Sequence, residues 1–85
     1  AEELHLFPNP NQGIFTIEAK KKKCEILVYD VLGEKVAYLS SDRSVNATLV
    51  SQSWVIDISS EPSGIYFLHL VSEDGRAVQK LIVNK

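Results

Sequence analysis

The stretch from Gly64 to Lys85 constrains this chain more than any other. It reads Gly64-Ile-Tyr-Phe-Leu-His-Leu-Val-Ser72, then Glu73-Asp74-Gly75, then Arg76-Ala-Val-Gln-Lys-Leu-Ile-Val-Asn-Lys85. Two β-rich runs around a short loop containing Asp-Gly predict a hairpin. Ile65 to Val71 is apolar at almost every position. A strand solvated on one side alternates, so this run is expected to be central and covered on both faces.

The 85 residues make one small domain, spanning 1–85, that buries about 60–65% of its unfolded surface. An apolar content of 45% with 24% charged residues places it among globular rather than disordered chains. A net charge of -2 offers nucleic acid no basic surface, so no such partner is expected. No apolar run nears the ~20 residues of a membrane span, so no transmembrane segment is expected. Cys24 is the single cysteine and cannot form an internal disulfide. The chain lacks methionine and opens on Ala1-Glu2-Glu3, as a processed product or excised domain would, with any export signal upstream.

In chain order, Leu4 to Phe7 is a short strand stopped by Pro8-Asn9-Pro10-Asn11, since proline cannot donate to a sheet ladder. Gly13 opens a second strand, Ile14 to Ala19, with Phe15 and Ile17 on one face. Lys20 to Lys23 reads as a solvated connection. Cys24 to Leu32 is a second long β-run, with Ile26 and Val28 on one face and Leu27, Tyr29 and Val31 on the other. Gly33 then supplies the positive φ of a tight turn into Lys35–Ser40. Ser41 to Ser44 is a polar loop, and Val45 to Val50 is weakly β-capable before Ser51-Gln52-Ser53 interrupts it. Trp54 to Ile58 is a strand with Trp54, Ile56 and Ile58 on one face. Pro62 precedes Tyr66 by four residues, the layout of the tyrosine corner in immunoglobulin-like and fibronectin-like sandwiches. No stretch carries a 3.6-residue period. The expectation is an all-β chain, a small immunoglobulin-like antiparallel β-sandwich of seven or eight strands.

Catalytic equipment is poor. His5 and His69 are the only imidazoles, and His69 lies within an apolar strand without neighbours at metal-ligand spacing. Cys24 follows four lysines that could lower its pKa, yet no motif surrounds it. Asp74 is explained by its turn. Asp30 and Asp57 form a carboxylate pair only if the sheets bring them together, and so small a sandwich has little room for a substrate cleft. Asn46-Ala47-Thr48 matches the N-glycosylation sequon, a three-residue pattern that by itself carries little weight. We therefore expect no enzyme, no catalytic or metal-binding residue and no cofactor.

Four segments in order resemble the C-terminal sorting domain of the type IX secretion system. They are Leu6-Phe-Pro-Asn-Pro-Asn-Gln-Gly13 with Ile14-Phe-Thr-Ile-Glu18, Ile26-Leu-Val-Tyr-Asp-Val-Leu-Gly-Glu-Lys-Val36, Ile56-Asp-Ile-Ser59 with Gly64-Ile-Tyr-Phe-Leu68, and Gly75 with Lys80-Leu-Ile-Val-Asn-Lys85. Phe7 stands where the pattern leads us to expect Tyr, and Leu39 to Trp54 carries no motif.

The resemblance implies a domain at the C-terminus of a cargo protein from the Bacteroidetes group. It would direct that cargo from the periplasm to an outer-membrane translocon, for release or display at the cell surface. A sortase-like peptidase would remove it and exchange it for an anchor, with Ala1 to Glu3 as the exposed linker remnant. Translocon recognition is expected at Gly75, Lys80, Leu81, Val83 and Lys85, although Leu81 and Val83 suit core packing equally by the two-residue period. Pro8, Asn9, Pro10, Gly13, Gly33, Gly64 and Tyr66 are the structural positions of the motif. Two other functions fit a β-sandwich: a carbohydrate-binding or adhesion module, which needs an exposed aromatic platform, and a spacer domain. Trp54 and the tyrosines lie in strands with apolar neighbours, which speaks against the platform. A strand-swapped dimer is a further possibility if the N-terminal strand exchanges at its Pro-rich hinge.

Overall fold

The computed structural model describes residues 4–20, 23–42, 52–73 and 75–85. The segment at Ala1–Glu3, the middle of the lysine run, the region from Arg43 through the sequon to Ser51, and Asp74 lie outside the described residues. The strands are β1 (Leu4–Phe7), β2 (Ile14–Ala19), β3 (Lys23–Tyr29), β4 (Lys35–Asp42), β5 (Gln52–Asp57), β6 (Gly64–Ser72) and β7 (Gly75–Val83). They form a three-stranded sheet, β1-β2-β5, and a four-stranded sheet, β4-β3-β6-β7, with every named pair antiparallel. No helix occurs among the described residues. This is a small β-sandwich, in which β3 pairs forward with β4 and across with β6.

Alternation decides which side chains meet between the sheets. Phe15, Ile17 and Ala19 of β2 and Trp54, Ile56 and Ile58 from the β5 segment are buried together. Cys24, Ile26 and Val28 of β3, Tyr66, Leu68 and Leu70 of β6, and Leu81 and Val83 of β7 complete the core from the other sheet. The residues grouped on one face of each strand, Phe15 with Ile17, Ile26 with Val28, and Trp54 with Ile56 and Ile58, fall inside together.

Three expectations need correction. β6 is central, between β3 and β7, but it is fully buried on one face only. Ile65 is 43% exposed, and Phe67, His69 and Val71 are half-buried, sheltered by neighbours within their own sheet rather than by another layer. Apolar outward residues on a middle strand gain that lateral cover from β3 and β7, which a single-strand periodicity does not register. Val31 is not a strand residue: β3 stops at Tyr29, and Val31 and Leu32 sit exposed in the turn. β4 runs on through Ser41 to Asp42, because Cys24 and Lys23 remain available to pair with them.

Asp30 explains the β3–β4 turn. Its Oδ1 accepts the Leu32 amide at 3.0 Å and the Glu34 amide at 2.9 Å, while its carbonyl accepts from Gly33. Gly33 at φ 85° allows the reversal.

Candidate functional site

β7 carries the motif on which recognition was expected, and alternation divides its residues sharply. Leu81 is fully buried and Val83 nearly so, both packed in the core. Lys80 is exposed on the outer face, opposite Phe67 of β6. Gly75 sits exposed at the mouth of the hairpin, opposite Ser72. Lys85 is tied down: its amide donates to Ser63 Oγ at 3.1 Å, and its ammonium donates to the carbonyls of Ser59 and Glu61. The five residues share one end of the chain without sharing one surface.

The Pro-Asn-Pro-Asn segment lies against the same strand. Asn9 donates from Nδ2 to the Lys80 carbonyl at 3.0 Å and accepts the Ile82 amide on Oδ1 at 3.0 Å. Its side-chain amide thus supplies the donor and acceptor that a neighbouring strand would present. Two residues on, the Asn11 amide donates to the Ile82 carbonyl at 3.0 Å, and its carbonyl accepts from Asn84 at 2.7 Å. Asn11 and Val83 form a parallel bridge. The chain leaves β2's sheet after β1 and clasps the edge of the other sheet.

The alternation of Pro and Asn follows from this. Asn9 and Asn11 bond β7, while Pro8 and Pro10 bring no amide hydrogen and so create no new edge donors. Both X-Pro bonds, Phe7-Pro8 and Asn9-Pro10, are cis. The buried Asn11 side chain fixes the bend internally, donating to the Pro8 carbonyl at 2.9 Å and accepting the Gly13 amide at 2.8 Å. Gly13, at φ 109°, then passes the β5 end so closely that an added Cβ would lie 2.7 Å from Ser59 Cα. Its carbonyl accepts the Ile58 amide at 2.7 Å.

Tyr66 is buried, and its hydroxyl donates to the Pro62 carbonyl at 2.6 Å, which is the tyrosine corner expected from the spacing. Burial pushes its phenol above the ordinary value. Asp57 Oδ1 accepts both the hydroxyl (2.6 Å) and the amide (2.9 Å) of Ser59, and these bonds hold its carboxyl below the usual range. Asp30 and Asp57 therefore serve two turns on different sheets. Cys24 is buried in the core, and no cluster of metal-ligand residues occurs among the described residues. His69 stands edge-on to Tyr29, with ring centroids 5.0 Å apart.

Sequence reasoning missed the partners of the Pro-Asn-Pro-Asn segment and the outward set Arg76, Val78 and Ile82. It also misjudged two tyrosines. Tyr29 is half-buried and Tyr38 is 51% exposed, both on the outer face of the four-stranded sheet with Phe67 and His69.

The sequence pattern of the secretion system C-terminal sorting domain matches residues 5–84. No individual curated protein matches the chain. Domains of this family are sorting signals rather than catalysts; they imply an attached N-terminal cargo, the type IX secretion machinery as partner, and delivery to the cell surface or outside. The match reaches into all seven strands, and this chain belongs to the type IX secretion C-terminal sorting domains.

Proposed function

We propose that the folded sandwich, rather than an extended tail, is the address that takes a periplasmic cargo through the type IX outer-membrane translocon. A sortase-like peptidase then removes it and exchanges it for a surface anchor. The observation that carries this is the family match over residues 5–84, which takes in strands of both sheets of the sandwich. Within the motif, Lys80 on the outer face and Gly75 at the exposed hairpin mouth suit direct contact, whereas Leu81, Val83 and Lys85 act by holding β7 in place.

The test fuses these residues to the C-terminus of a periplasm-targeted fluorescent protein, in a bacterium with a working type IX system and in a translocon-deficient strain. Fluorescence in the medium or on the surface of the competent strain alone supports the address. Retention of a folded fusion in both strains overturns it. Cleavage is read in the same experiment as loss of the domain's mass from the exported reporter.

One observation favours a second reading, a glycan-binding module. Tyr29, Phe67 and His69 line an open hollow of about 380 Å³ with Asp30 and Arg76 at its border. Aromatic faces beside charged groups suit a sugar ring. Binding of the purified domain on a glycan array, abolished by Tyr29→Ala, supports this module.

A further inference from the structure

The clasp covers only part of the β7 edge. Ile82 sends both its amide and its carbonyl outward, to Asn9 and Asn11. Backbone groups on a strand repeat their direction every second residue, and β6–β7 pairing runs without a register shift from Gly64–Val83 to Ser72–Gly75. The amides of Arg76, Val78 and Lys80 and the carbonyls of Arg76 and Val78 therefore also face away from β6. Among the described residues nothing bonds them. The Lys80 carbonyl, bonded by Asn9, marks where the open edge ends.

The side chains along this edge are as uneven as its backbone. Arg76 and Lys80 are exposed, on the same outer face, and form no ion pair among the described residues. Between them Val78 is 54% exposed. An open edge is normally blunted against pairing. Here the prolines and asparagines close one half, and the other half carries only the like charges of Arg76 and Lys80, which oppose a second copy of this edge but not a segment of opposite charge.

We infer, on the sorting function proposed above, that the secretion machinery reads this domain by adding an extended acidic strand to the Arg76–Lys80 edge of β7. Strand addition takes its affinity from main-chain bonds and its selectivity from alternate side chains. Arg76 and Lys80 are four residues apart, about 13 Å along a strand. The incoming segment therefore carries Asp or Glu at two positions four apart, with an apolar residue midway to lie beside Val78. The clasp sets the register, because Asn9 stops the added strand at Lys80.

The test uses the reporter fusion. Val78→Pro deletes an amide that points away from β6, so the β6–β7 ladder keeps its bonds. Loss of one interface hydrogen bond is worth about tenfold, so export of the folded variant is expected to fall at least about tenfold, while Val78→Ala stays near the parent. The double variant Arg76→Glu/Lys80→Glu, which leaves core and ladder alone, is expected to fall by at least the same factor. Thermal melts of each purified fusion establish folding. Parent-level export of folded Val78→Pro overturns the inference, as does equal loss with Val78→Ala, which assigns the effect to the side chain. If proline prevents folding, the charge-reversed variant decides: parent-level export overturns the inference, and loss supports it. A parent fusion that never leaves the periplasm overturns the sorting function itself and this inference with it.

Discussion

Asn9 does with a side chain what a strand does with its backbone, and that makes it the most informative single residue. Asn9→Ala removes both bonds to β7 and is expected to cost about 1–2 kcal/mol, read as a lower urea midpoint with unchanged slope. Asn9→Asp keeps the acceptor for Ile82 but sets a second oxygen against the Lys80 carbonyl, so it should be no better than alanine. Gly13→Ala meets backbone at a forbidden distance in a conformation alanine resists, and should destabilise by at least about 1–3 kcal/mol. Tyr66 gives the pH dependence. Its pKa is raised by burial in the folded state, so the fold holds the proton more tightly than the unfolded chain does. The resulting stability is full below the unfolded phenol's pKa, near 10, and is lost as pH rises from there through the folded value. Tyr66→Phe is expected to lose about 1 kcal/mol at neutral pH and to remove its share of the alkaline decline, measured as unfolding midpoints at pH 8 and pH 11.

At the scale of elements, the outer edge of β7 has two halves of opposite character. Amide exchange followed by NMR should show Ile82 strongly protected and Val78 exchanging fast, although both lie in the same ladder and both amides point outward. Comparable protection at Val78 in the isolated domain means that something already covers the edge. The strands themselves were legible in the sequence, because Phe15/Ile17, Ile26/Val28 and Trp54/Ile56 keep the two-residue period that burial on one face demands. Tyr66 and Pro62 were legible as well, since their bond is local. The clasp was not. Asn9 meets Lys80 and Ile82 across nearly the whole chain, and no periodicity within either segment encodes that contact. Nor does a run such as Ile65 to Val71 reveal whether its second face is covered by another layer or only by neighbouring strands. The residues expected to serve recognition do not share one face: Leu81 and Val83 share their motif with Lys80 while pointing to the opposite side of β7.

At the scale of the whole molecule, β7 both closes the core and displays the surface proposed for recognition. Leu81→Ala should cost about 2–5 kcal/mol through lost burial and the cavity left behind. In the reporter fusion, that variant should lose export in proportion to its unfolded fraction and regain it at lower temperature. Removing residues 81–85 is expected to unfold the domain, seen as loss of its melting transition, so such a truncation by itself does not locate a contact. The clasp carries a consequence for how the chain is made. Synthesis runs from β1 to β7, and Asn9 and Asn11 emerge long before the strand they fasten. Their partners, Lys80, Ile82 and Asn84, are the last to leave the ribosome within this chain. A polypeptide that stops before Gly75 has an open β6 edge, a core without Leu81 and Val83, and an unfastened N-terminal segment. The lock is thus threaded at the start and turned only by the final strand, so a cargo translated incompletely arrives without its passport.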